Sequence, residues 1–574
     1  MNEKVSFLKK VKDKSFWEKV RNNPKYSYFI EELTENYKQH CEGPIAELPY
    51  HKFRMFGVNG NRTEYEQVYF SRRQRLNTLA LFCMIYPENE DYFAHLQDVV
   101  WAICSEYSWA LPAHIGIDLD ENNVNIYDEE KNPLTVDLFA SETAFALSEI
   151  KYILADRFDE HINKLIHSEI KRRIIEPFEN RIYFWENFPE NWAAVCAGSI
   201  GAAILYEFPE LFPEFKGRIM HSMETFLSSY KSEGFCEEGV AYWEYGFGFF
   251  VAFASLLYDM TDGAENLFER EHVKNIAKYS NYIFLGDSLP VTFGDSSDAK
   301  KPVSFALMEY LRRMYGDEIP TLDFDNYGSS EYCARWQRHI RSIVFFDPEH
   351  EYIKSSKAET IFRPLTGIFM HKQQKYDLAV TAGYNDAPHN HNDLGSFILR
   401  YNDKRIFDDL GAGEYTKDYF DADKRYLNLV CGAHGHGVPQ FGDCVQPYGK
   451  QYSAKTQYDG KLIIDLTMGY DCPELKKIIR TFECKDDCVV LTDSFEYSGI
   501  VTERFVTKTR PELKGGKLYI GDARIDADMN KWEYSLKCDS YKRHGVTDGI
   551  NVYIIEFTQK DIGDNKFEML IQLP

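Results

Sequence analysis

The spacing of apolar residues changes once along this chain, near residue 345, and that change limits the fold more than any single motif. Before it, apolar side chains recur at helical spacing over 74–86, 92–106, 136–158, 192–206, 219–230, 246–258 and 305–315. After it the period is two. Strands are predicted over 367–371, 377–381, 461–466, 476–482, 489–495, 502–507, 517–520, 551–557 and 567–572, with turn signals between them such as Lys514-Gly515-Gly516-Lys517. The pattern predicts a multidomain α+β chain. An N-terminal (α/α) toroid of helical hairpins over 1–340 is followed by a C-terminal antiparallel β-sandwich over 341–574. The boundary falls near 335–355 without a low-complexity linker, and no fixed-period repeat marks a solenoid.

Composition narrows the function. The 574 residues suffice for two cores, and 15% of them are aromatic, with 39 Tyr and 41 Phe. Aromatic rings fill cores and also stack on sugars. The net charge of −24 argues against a nucleic-acid surface. It does not exclude an anionic sugar, because a local basic cleft can outweigh the total. The first residues, Met1 to Asn23, are charged and lack the apolar stretch of a secretory signal, so a cytoplasmic location is expected. No run approaches the roughly 18 apolar residues of a membrane span. The twelve cysteines are scattered without a C-x-x-C pair, and Cys484 and Cys488 read as structural, which fits reduced thiols.

The chemistry concentrates in His389-Asn-His391-Asn-Asp-Leu-Gly-Ser-Phe397. On extended backbone His389 and His391 would share a face. A hairpin of 396–401 and 405–408, turning at Asn402-Asp403, would return Asp408 or Asp409 to them. Two imidazoles and a carboxylate make a metal or acid/base site; a solvated Asn/Asp turn explains the same letters. His434 or His436 offers a third imidazole. In the helical half, Asn191-Trp192 opens a helix, where the plain role of Asn191 is to cap it. The stretch Glu237-Glu238-Gly239-Val-Ala-Tyr242-Trp243-Glu244-Tyr245-Gly246 enters another. Its rings are core or sugar platform, and Glu238 with Glu244 could be a glycosidase pair.

The nonapeptide at 389–397, the following Asp409-Leu-Gly-Ala-Gly-Glu-Tyr415, the later His436-Gly-Val438-Pro439-Gln440 and the two helical stretches resemble the heparinase II/III-like polysaccharide lyases over most of the chain. The resemblance implies a catalytic set of Asn191, Tyr245 and His389, with Tyr242 as the alternative to Tyr245 one turn away. It implies a structural Zn2+ held by His391, Asp409 and His436, with Asp408 and His434 as alternatives. Around Tyr69–Leu76 and Trp109–His114 it implies substrate contacts. Arg72, Arg73 and His114 could hold a carboxylate or sulfate, with Trp192, Tyr242, Trp243 and Glu238 lining the cleft. For the two arginines a solvated helix face is the plain alternative.

The implied reaction is β-elimination from a uronic-acid-containing glycan, leaving a 4,5-unsaturated uronate. Tyr245 and His389 share the acid and base roles, and their order can depend on the uronate epimer. A free phenol has a pKa of ~10, so Tyr is the easier acid. The expected partner is an anionic uronate oligo- or polysaccharide: heparin or heparan sulfate, chondroitin, hyaluronan or, alternatively, alginate. No nucleic acid and no membrane are expected, and the sequence leaves oligomeric state open. Competing readings are a glycoside hydrolase using Glu238, Glu244 or Asp295, a zinc hydrolase with an open coordination position, and a sugar-binding protein without catalysis.

Overall fold

Helices make one compact unit of the chain and sheets make another. The computed structural model describes residues 6–115, 134–286, 289–296, 304–319, 331–349, 358–402, 404–546 and 548–574. The helical unit comprises Met1–Tyr230, Tyr242–Ala277 and Val303–Tyr352; the sheet unit comprises Lys231–Ala241, Lys278–Pro302 and Ile353–Pro574. Two segments from the helix-patterned part of the sequence thus belong with the sheets.

The helical unit is an α/α toroid of paired helices. At its centre Asn191–Glu207 packs on Leu138–Leu154, Phe212–Ser228 and Gly248–Met260. Small residues permit this. A Cβ on Gly201 would lie 2.6 Å from the Phe253 ring, and one on Gly198 would lie 3.1 Å from Met223 Cε. All but two residues of this helix are buried. Caps set helix starts: Asp137 accepts from Ala140 N at 2.7 Å to begin Leu138–Leu154, and Ser304 accepts from Leu307 N to begin Phe305–Tyr315. The helical stretch Val240–Met260 contains one π turn, Trp243–Phe247. Against the sequence expectation, this stretch is long and apolar enough to cross a membrane, with mean hydropathy 1.3. It is also 89% buried in its apolar window, as a core helix is.

Among the described residues of the sheet unit every pairing is antiparallel. The eight-stranded sheet runs Lys455–Tyr458, Leu462–Asp465, Lys477–Cys484, Cys488–Glu496, Lys566–Gln572, Ala523–Ala527, Lys517–Ile520 and Glu512–Lys514 in spatial order. Its long strands alternate buried and exposed residues, as period two requires. A five-stranded sheet (Glu359–Arg363, Ile368–Lys372, Tyr376–Thr381, Phe397–Tyr401, Lys404–Phe407) and a four-stranded one (Trp532–Tyr541, Ile550–Gln559, Val501–Thr507, Gln440–Phe441) share its core through Phe397, Phe482, Phe505 and Phe567. Phe397–Tyr401 is buried on both faces, which holds the segment before it in place.

Candidate active site

In the helical unit the π turn places Tyr245 against Leu138–Leu154. The Tyr245 hydroxyl donates to Glu142 Oε1 at 2.5 Å. The Arg335 guanidinium lies 3.9 Å from the centre of the Tyr245 ring, and its Nε is 3.6 Å from Glu142. Burial, opposed by Arg335, pushes the Glu142 carboxyl up to about 7. Burial and the neighbouring Glu142 hold the Tyr245 phenol well above its ordinary value, so it keeps its proton. Asn191 is the first residue of its helix. Glu190 occupies the cap position, so Asn191 is not the cap. It is buried against Gly246, where an added Cβ would come within 3.1 Å of Asn191 Cβ and 2.7 Å of the Phe226 ring. The glycine after Tyr245 therefore brings amide and phenol to neighbouring positions.

The other helical candidates sort differently. Trp192 is half-buried, edge-on to His114 at 5.1 Å between ring centres. His114 Nδ1 lies 2.8 Å from Asp137 Oδ2, and its ring stacks on Phe139. Tyr242 is half-buried. Trp243 is fully buried, its indole donating to Ile276 O, so it is a core residue and not a sugar platform. Arg73 is buried and bidentate to Glu106 at 2.6 and 2.7 Å, while Arg72 reaches Ala46 O and Glu106. Neither is a solvated face, and a bound anion would compete with Glu106 for both. Glu244 is buried with Arg338 at 3.2 Å.

In the sheet unit Asp295 is the hub. Its buried carboxylate lies 2.9 Å from His389 Nδ1, 2.9 Å from His391 Nε2 and 3.1 Å from Arg425 Nη2, and it accepts from the Tyr419 hydroxyl. Burial opposes its charge, but Arg425 and the two histidines hold it well below the usual carboxylate range. So engaged, Asp295 is an orienting group and a poor acid. His389 sits at φ 57° in a turn, and not on a strand. The two imidazoles converge because Asp295 gathers them, not because backbone alternation aligns them. Gly294, at φ 65°, allows the approach: a Cβ there would stand 3.1 Å from His389 O, to which Asp295 N donates. Burial lowers the pKa of His389, but Asp295 more than offsets this and leaves it raised. Glu238 is buried near this imidazole and favours its charge.

His391, Asp409 and His436 offer ligand atoms within 4.8 Å of one another. His436 Nε2 faces Val430 O at 2.9 Å, an acceptor only, so that nitrogen carries hydrogen. Its Nδ1 then meets Asp409 Oδ2 at 3.1 Å, where a proton or a cation is needed between two acceptors. His391 turns Nε2 to Asp295 and leaves Nδ1 buried without a hydrogen-bond partner. Two inward Nδ1 atoms, a carboxylate and outer-nitrogen partners fit a zinc site. Asp408 is taken by Arg405 and Lys508, and the half-buried His434 lies outside the cluster. Sequence reasoning missed Glu142, Arg335, Tyr419 and Arg425, and met Asp295 only as a hydrolase acid.

No family model matches the chain, and no curated protein matches it. Solved structures do. Heparinase III aligns with TM-score 0.61 over 99% of this chain and 91% of its own, at 13% identity. A heparan sulfate lyase from Pedobacter heparinus aligns with TM-score 0.56 over 96% and 88%, also at 13% identity. The Streptomyces coelicolor A3 chondroitin AC lyase gives 0.57 over 97% and 82%, at 9% identity. The chain has the fold of these polysaccharide lyases, a helical toroid followed by an antiparallel β-sandwich.

Proposed function

We propose that this chain is a polysaccharide lyase that cleaves a uronic-acid-containing glycan by β-elimination. The observation that carries the reading is the Asp295–His389 pair. A buried carboxylate grips Nδ1 of a part-exposed imidazole and so makes Nε2 the proton-accepting nitrogen. The fold shared with heparinase III and chondroitin AC lyase supports it.

In this reading the Asn191 amide donates to the uronate carboxylate. It adds no negative charge, and its place at the start of a 17-residue helix puts the charge developing on the substrate near the positive end of the helix dipole. His389 takes the C5 proton. The C–H electron pair becomes the C4–C5 double bond, the C4–O bond breaks, and Tyr245 protonates the departing oxygen. Glu142, with its carboxyl pushed up to about 7, accepts from the Tyr245 hydroxyl and orients it, and Tyr245 recovers its proton from solvent after the product leaves. His391, Asp409 and His436 would hold zinc, whose role is to tie together the loops that carry them. Glycosaminoglycan oligosaccharides are the first substrates to test, and alginate oligosaccharides the second.

The test is ultraviolet absorbance of the unsaturated uronate on heparan sulfate, chondroitin sulfate, hyaluronan and alginate oligosaccharides. Wild type is expected to raise it on at least one, with the rate lowered about 100-fold or more in both Tyr245→Phe and His389→Ala. Release of saturated sugar ends without that absorbance would sink the reading and favour a hydrolase.

A further inference from the structure

Three aromatic rings stand beside His389 or its loop within the sheet unit, and the elimination chemistry uses none of them. Phe420 meets His389 edge-on at 6.5 Å between ring centres and is 48% exposed. Tyr426 and Tyr448 stack on each other at 5.0 Å and 20°, with Tyr448 48% exposed. The stack is tied to the loop that carries His389 through Tyr426. The Tyr426 hydroxyl donates to Asn390 Oδ1 at 3.0 Å, and the Asp386 carboxylate lies beside the Tyr448 hydroxyl. Leu427 and Val445, close to the two tyrosines in the chain, are exposed as well.

A ring stacked on a partner whose hydroxyl is pinned is held in place before a ligand arrives, so little side-chain freedom is lost on binding. The exposed aromatic surface suits the C–H face of a pyranose. Asp386 at its edge suits sugar hydroxyls and repels a second carboxylate. We infer that Tyr448, backed by Tyr426, is the platform for an uncharged sugar next to the uronate, a hexose or an N-acetylhexosamine. The place of that sugar beside a uronate rests on the lyase reading above.

The experiment compares wild type, Tyr448→Ala and Tyr448→Phe on alternating N-acetylhexosamine–uronate tetrasaccharides and on oligomers of uronate alone. Steady-state kinetics is paired with calorimetric binding in a His389→Ala background, and thermal unfolding confirms folding. Tyr448→Ala is expected to raise KM and Kd for the alternating sugar about three- to tenfold with kcat within about twofold, and Tyr448→Phe, which keeps the ring, to lose less. Pure uronate oligomers are expected to show no such loss. Equal KM and Kd in wild type and Tyr448→Ala, or an equal loss on pure uronate oligomers, overturns the platform and leaves the lyase reading standing. If no uronate glycan is eliminated, the lyase reading falls. Binding of N-acetylhexosamine oligomers weakened by Tyr448→Ala would then still support the platform, and absence of binding would overturn it.

Discussion

Glu142 is the residue whose ionisation makes the clearest prediction. Its folded pKa of about 7 stands above the ordinary carboxyl value of 4.5. Such a group favours the folded state at low pH. That contribution fades as pH rises from about 4.5, and above about 7 the full cost of the buried charge is in place. Glu142→Gln should therefore stabilise the protein relative to wild type more at pH 8 than at pH 5, by at most about 3 kcal/mol. Denaturant unfolding at the two values checks this; an equal difference at both would contradict it. At this scale the sequence was partly legible. His391, Asp409 and His436 are each marked by near neighbours in the chain, and the structure brings them together. Partners far apart in sequence were not legible. Glu142 is 103 residues from Tyr245 and Asp295 is 94 from His389, and only tertiary packing joins them.

At the scale of elements, Arg480 ties the sandwich to the site. It is fully buried on strand Lys477–Cys484, with Asp493 and Glu503 as partners. Its Nη1 donates to Gly395 O at 2.9 Å and Gly437 O at 2.5 Å, in the two segments that follow His391 and His436. Burial and the adjacent Asp493 keep Glu503 protonated, so Arg480→Met leaves the buried Asp493 carboxylate without its cation and should cost about 3–5 kcal/mol. A drop in Tm with weakened zinc retention is the expected result; a drop in Tm with zinc unchanged would place the effect in the sandwich alone. The cluster itself predicts about one zinc per chain by elemental analysis, lost in His436→Ala with a lower Tm. Activity should fall slowly on chelation, in step with loss of structure, whereas a catalytic zinc would give fast, reversible loss. Elements with clear alternation, such as Lys477–Cys484, were readable from sequence. Trp532–Tyr541 was not, because six consecutive residues within it, 535–540, are all exposed along the sheet edge and show no alternation. The π turn under Tyr245 was equally invisible, since its residues have ordinary helical spacing.

For the whole molecule, the change of period near 345 revealed the two architectures but not the membership of every segment. Residues 231–241 and 278–302 belong with the sheets by their contacts, which composition does not report. The net charge of −24 told against nucleic acid and left a glycan open. The central claim is that bond cleavage takes no oxygen from water. The most direct measurement is mass spectrometry of the products formed from a defined uronate oligosaccharide in water enriched in heavy oxygen. Elimination predicts an unsaturated fragment one water lighter than its hydrolytic counterpart, with no heavy oxygen in either product from the cleaved bond. Heavy oxygen incorporated at a saturated sugar end would contradict the account and make the chain a hydrolase on a lyase fold.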